Sequence, residues 1–111
     1  MGRVLVCGNV VFDILARPVD EVRWAATTVI GQVEQQLGGN GGTTSYTLAT
    51  LGTPTSLVTL AGRDASAEIV FASLRAAGVN LDQVQYVNAS TSIAIGQIGR
   101  ASCRERVSSV V

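Results

Sequence analysis

Gly38-Gly39-Asn40-Gly41-Gly42, running on into Thr43-Thr44-Ser45-Tyr46-Thr47-Leu48-Ala49-Thr50-Leu51-Gly52, is the stretch that decides the fold. Residues without a Cβ let the backbone bend sharply and come close to a ligand or to another segment. The residues that follow place Tyr46, Leu48, Ala49 and Leu51 as apolar positions and stop at a glycine, so the spacing predicts a glycine loop feeding a helix that ends at Gly52. The unpaired N–H groups at such a helix start suit a ligand, while a flexible hairpin or an ordinary helix-entry turn fits the glycines equally. No Gly-Lys-Ser/Thr follows, which excludes a Walker loop, and the spacing is not G-x-G-x-x-G.

Upstream, residues 3–8 form a short apolar run closed by Gly8-Asn9, the pattern of a first parallel strand covered on both faces. Val10 to Ala16 continues apolar around Asp13, and Arg17-Pro18-Val19-Asp20 reads as a turn because proline fixes φ and steers its predecessor away from helix. Residues 27–37 alternate loosely at Val29, Gly31, Val33 and Gln35, which predicts a half-covered strand of a small accessory sheet, with Trp24 packed on it.

Downstream, residues 55–61 predict another buried strand. Ile69, Val70, Leu74 and Ala77 then recur at helical spacing, with Asp64 as the N-cap and Gly78 as the C-cap. Residues 84–87 and 92–98 read as two further strands. Repeated strand–helix–strand units imply an α/β fold with a parallel sheet.

The whole chain of 111 residues, 47% hydrophobic and 14% charged, has the size and composition of one globular domain. Its net charge is zero and its arginines do not cluster, so the electrostatic footprint of nucleic-acid binding is missing. With neither Lys nor His, the chain lacks an imidazole base, a phosphate-loop lysine and the usual zinc ligands; no metal site is assigned, and proton transfer is left to carboxylates. Cys7 and Cys103 are too far apart for a disulfide framework, which predicts a reducing, cytoplasmic setting. No apolar run is long enough for a signal or membrane segment. Composition shifts after Ile98: residues 99–111 carry three of the eight arginines without an amphipathic pattern and read as a disordered or artefactual tail on a unit of 1–98.

Asp13 is the leading ligand candidate, because a carboxylate just past the end of a parallel strand stands where open α/β sheets bind ligands, and its two oxygens can accept two hydroxyls of one polyol. A turn-capping or solvated carboxylate fits the same position. Arg63 is a surface cation able to meet an anion.

Taken in order, Val4-Leu5-Val6-Cys7-Gly8 with Asp13, the glycine cluster and its helix, Leu60-Ala61-Gly62-Arg63-Asp64, Leu74-Arg75-Ala76-Ala77-Gly78-Val79 and Thr91-Ser92-Ile93-Ala94 resemble the N-terminal part of ribokinase-like (PfkB-type) carbohydrate kinases over residues 3–97. The resemblance implies part of a three-layer fold, a parallel sheet flanked by helices, with a small β lid built from 14–37 and 92–97. It implies that Asp13 grips sugar hydroxyls, that Gly38 and Gly39 present backbone to the same sugar, and that Asn40 and Thr43 complete the substrate-binding set. It further implies ATP and Mg²⁺ as cofactors of the full-length enzyme, a small sugar as partner, and a homodimer formed through the lid. The family's catalytic base lies in a Gly-Ala-Gly-Asp segment expected beyond residue 111, so no catalytic residue is assigned here. The chain alone is expected to be inactive and poorly soluble. Two departures, Thr43 where the family often has Asn and Val11 where ribokinase-type members have Asn, weigh against ribose as the acceptor. A non-catalytic carbohydrate- or nucleoside-binding module is the second reading. A small Rossmann-like dinucleotide-binding domain is the third, disfavoured because the glycines follow the wrong strand at the wrong spacing.

Overall fold

A computed structural model describes residues 2–17, 21 and 23–98 and the backbone of 105–110. Along the chain run β1 (Val4–Cys7), β2 (Val11–Arg17), β3 (Gln32–Gly38), α1 (Asn40–Thr50), β4 (Thr55–Val58), β5 (Leu60–Ala61), α2 (Ala65–Ala77), β6 (Gln85–Tyr86), β7 (Ile93–Ile98) and β8 (Glu105–Val110).

The apolar run after Arg3 forms β1, which pairs in parallel with β4, Val6 opposite Leu57. Val6 and Leu57 point into the core beside Val70, Phe71 and Leu74 of α2. The neighbouring residues point the other way: Leu5 is 60% exposed and Cys7 is exposed. β1 is therefore covered on one face, not on both as its continuous apolar run suggests.

The segment read as one strand over 55–61 breaks at Thr59. β4 stays with β1, while β5 pairs in parallel with β6. α2 follows with the expected caps: Asp64 accepts from Ala67 N–H at 2.9 Å, and Gly78 adopts φ 95° so that its amide returns to Arg75 O.

The accessory sheet is larger than its sequence pattern implies. Its order is β3-β2-β7-β8, with β2 antiparallel to β3 and parallel to β7. Asp13 lies inside β2, rather than just past the end of the first strand, because Gly8-Asn9 ends β1 and the chain restarts as a strand of the other sheet. Within the stretch read as a strand over 27–37, only residues from Gln32 onward are strand, and Trp24 is 92% exposed instead of packed on the sheet.

The backbone of β8 runs antiparallel to β7, which differs over 105–110 from the reading of 99–111 as unstructured. β7 otherwise ends the sheet as an open edge, and Val107 and Val110 are β-branched residues suited to a strand. Residues 99–104 with Cys103, residue 111 and most of the expected turn (18–20) lie outside the described residues. No helix among the described residues is long and apolar enough to cross a membrane.

Candidate functional site

α1 starts inside the glycine cluster, three residues before the predicted position, and the cause is Asn9. Its backbone carbonyl accepts from Gly41 N–H at 2.9 Å and from Gly42 N–H at 3.1 Å, and its side-chain Oδ1 accepts from Asn40 N–H at 3.1 Å. Those three orphan amides of the helix start are thereby satisfied from within the chain. The helix terminus that the glycines suggest as an open ligand cradle is already occupied.

Each glycine has its own reason for lacking a side chain. Gly39 precedes the helix at φ 85° and ψ 151°, a region open essentially to glycine alone. A Cβ on Gly41 would stand 2.5 Å from the carbonyl carbon and oxygen of Gly8. A Cβ on Gly42 would meet Leu37 Cδ1 at 2.8 Å. α1 buries Gly41, Gly42 and Ser45, whereas Tyr46 and Leu51, expected as core positions, are exposed. Small residues bring the helix axis closer to the sheet than large apolar ones permit.

Gly38 joins this helix entry to Asp13. It ends β3 opposite Val11, and a Cβ on it would fall 2.5 Å from Asp13 Cγ and closer still to Oδ2. The Asp13 carboxylate thus lies flat against the Gly38 backbone, half-buried, at the junction of the lid sheet with α1. The Thr43 hydroxyl donates to Gly39 O at 2.8 Å, which fixes the side chain and leaves its oxygen as an acceptor. Of the sequence-derived residues, Asp13 and Gly38 are in contact, Gly39 and Thr43 are bonded to one another, and Asn40 is exposed between them. Asn9, which holds the group together, was legible only as a strand terminator.

Gly62-Arg63-Asp64 forms a separate clasp. Asp64 Oδ2 accepts from Thr91 N–H at 2.8 Å, while Gly62 N–H donates to Thr91 Oγ1 at 3.1 Å. The Thr91 amide, followed by that of Ala67, holds the Asp64 carboxyl below its ordinary value. A carboxylate with a lowered folded pKa stabilises the fold above its unfolded value of about 3.9, and that contribution is lost as pH falls through the folded value. Asp64→Ala is therefore expected to destabilise by about 2 kcal/mol at pH 7, with a smaller difference from wild type in the most acidic samples of a pH series of urea melts. Arg63 carries its guanidinium 4.9 Å from the Tyr86 ring centroid, as a cation–π pair. It lines a cleft of about 590 Å³ with Asp64, Glu68, Phe71, Arg75 and Tyr86, whose lining does not include Asp13.

Among the described residues there is no group of three or more His, Cys, Asp or Glu able to hold a metal ion, and the amides of Asn40, Gly41 and Gly42 are bonded to Asn9.

Comparison with known proteins places this geometry. A search of curated proteins gave no match. Among solved structures, the ribokinase of Cryptococcus neoformans var. grubii serotype A in complex with ADP is 25% identical, with a TM-score of 0.82 over 99% of this chain and 35% of that one. Two likenesses of fold are the Arabidopsis thaliana ribokinase complexed with ribose and ATP (24% identical, TM-score 0.87, 96% of this chain, 35% of that one) and a nucleoside kinase of Methanocaldococcus jannaschii (17% identical, TM-score 0.82, 99% and 37%). The chain spans about a third of the length of these structures. The model of the pfkB family of carbohydrate kinases matches residues 1–107, and the chain belongs to that family.

Proposed function

We propose that this chain is the acceptor-binding part of an ATP-dependent sugar kinase, in which Asp13 binds two hydroxyls of the acceptor and the Gly38–Gly39 backbone lies along the same molecule. The carrying observation is the contact between the Asp13 carboxylate and the Gly38 backbone at the lid–helix junction. An ionised carboxylate accepts two hydroxyl hydrogen bonds from one polyol, and the missing Cβ of Gly38 leaves room for that carboxylate against the backbone. Asn40 and Thr43 border the same ligand.

In phosphoryl transfer the protein positions the acceptor hydroxyl and stabilises charge on the γ-phosphoryl group. The first task falls to this chain. ATP and Mg²⁺ belong, in this proposal, to a part of the enzyme outside these residues, so the chain by itself binds without turning over. The working unit is 1–98, and β8 adds an edge strand to its lid sheet. The protein is cytoplasmic, and the outer face of the lid pairs two subunits.

Titration of the ¹⁵N-labelled chain with D-fructose and D-ribose, read at the amides of residues 12–14 and 36–39, tests the reading. Shifts that saturate in wild type and vanish in Asp13→Ala are expected; shifts that persist in Asp13→Ala refute it. ATP turnover by a longer reading frame containing these residues separates a kinase from a binding module.

A further inference from the structure

Resting on the reading of Asp13 as an acceptor ligand, we infer that Gln36 is a second acceptor-binding residue and sets specificity, its carboxamide taking an oxygen next to the diol held by Asp13. Asp13 and Gln36 are direct partners across the antiparallel β2–β3 pair. Side chains at such positions stand on one face with Cβ atoms about 5 Å apart. Gly38 identifies that face: it lies two residues beyond Gln36 on the same side of β3, and a Cβ there would run into the Asp13 carboxylate.

On its other side Asp13 is in register with β7. Its parallel partner on β7 is Ala94, which offers a single methyl. One row outward, Leu15 faces Glu34, whose carboxylate is paired with Arg17. Gln36, exposed and uncharged, is the polar side chain in register with Asp13.

The two groups have complementary chemistry. An ionised Asp only accepts, whereas the Gln carboxamide supplies two N–H donors as well as a carbonyl. Together they match a vicinal diol that lies beside a further oxygen held in place by a ring, as in a ring-form sugar. An open-chain alditol has the diol and further hydroxyl oxygens, but no ring holds the next oxygen against the carboxamide, so ordering it costs rotamer freedom.

The test compares D-fructose with sorbitol, by the same amide titration of the 111-residue chain, in wild type, Gln36→Leu, Gln36→Glu and Asp13→Ala. Wild type is expected to favour fructose. Gln36→Leu and Gln36→Glu, both surface changes, are expected to weaken fructose about tenfold, the loss of roughly one hydrogen bond, and to leave sorbitol within about twofold. If Asp13→Ala abolishes binding while Gln36→Leu weakens both sugars alike or neither, the role of Gln36 is overturned and the acceptor site stands. If neither sugar moves the resonances of the site, or Asp13→Ala changes nothing, the acceptor site itself fails and the role of Gln36 with it.

Discussion

Gly38→Ala is expected to lower sugar binding by two orders of magnitude or more while leaving the fold nearly as stable as wild type. The new methyl would occupy the place of the Asp13 carboxylate. That carboxylate ends a side chain with two rotatable bonds, and Gly38 does not need a positive φ, so rotation of Asp13 relieves the clash at a cost of about 1 kcal/mol. The same rotation removes the carboxylate from the acceptor. Each hydrogen bond to a charged group contributes about 1.5–3 kcal/mol, and two of them amount to at least a hundredfold in affinity. Amide titration with D-fructose and a urea melt of the same sample check both halves. Unchanged affinity in Gly38→Ala would show that binding does not depend on where this carboxylate sits.

Gly41→Ala is expected to act in the opposite sense, lowering stability by about 3 kcal/mol or more. Every atom that its Cβ would approach is backbone: Gly8 C and O at 2.5 Å and Asn9 O at 2.9 Å. Gly8 is the reciprocal half of the crossing, since a Cβ on it would stand 2.9 Å from Gly41 Cα and N. Nothing can rotate out of the way, so the end of β1 must separate from the first turn of α1. That movement breaks the bonds from Gly41 and Gly42 to Asn9 O. Gly52→Ala serves as the comparison: with φ 90° and open space around it, it should cost only the left-handed penalty of about 1–2 kcal/mol. Urea midpoints in the order wild type, Gly52→Ala, Gly41→Ala are expected; equal midpoints for the two variants would show that the crossing is not tight.

The two predictions separate glycines that look alike in sequence. Gly38 makes room for the Asp13 carboxylate, Gly41 for another stretch of backbone, and Gly39 adopts a conformation closed to other residues. Local spacing detects that glycine is required, but the identity of the atom across from each one depends on how β3 pairs with β2 and how the start of α1 crosses the end of β1. Asn9 escaped for the same reason, because its partners are 31 residues away at Asn40 and its immediate neighbours. Thr91, 27 residues from Asp64, is a second long-range partner that no local pattern reveals.

By itself the sequence determined the periodic elements, the caps of α2 at Asp64 and Gly78, and the order of motifs that marks the family, because these follow from local backbone preference and apolar spacing. Only the tertiary structure decided that Asp13 belongs to the lid sheet, that α1 begins within the glycines, and that its amides are already bonded. Those features arise where two segments distant in the chain meet, and the distances between their atoms follow from packing.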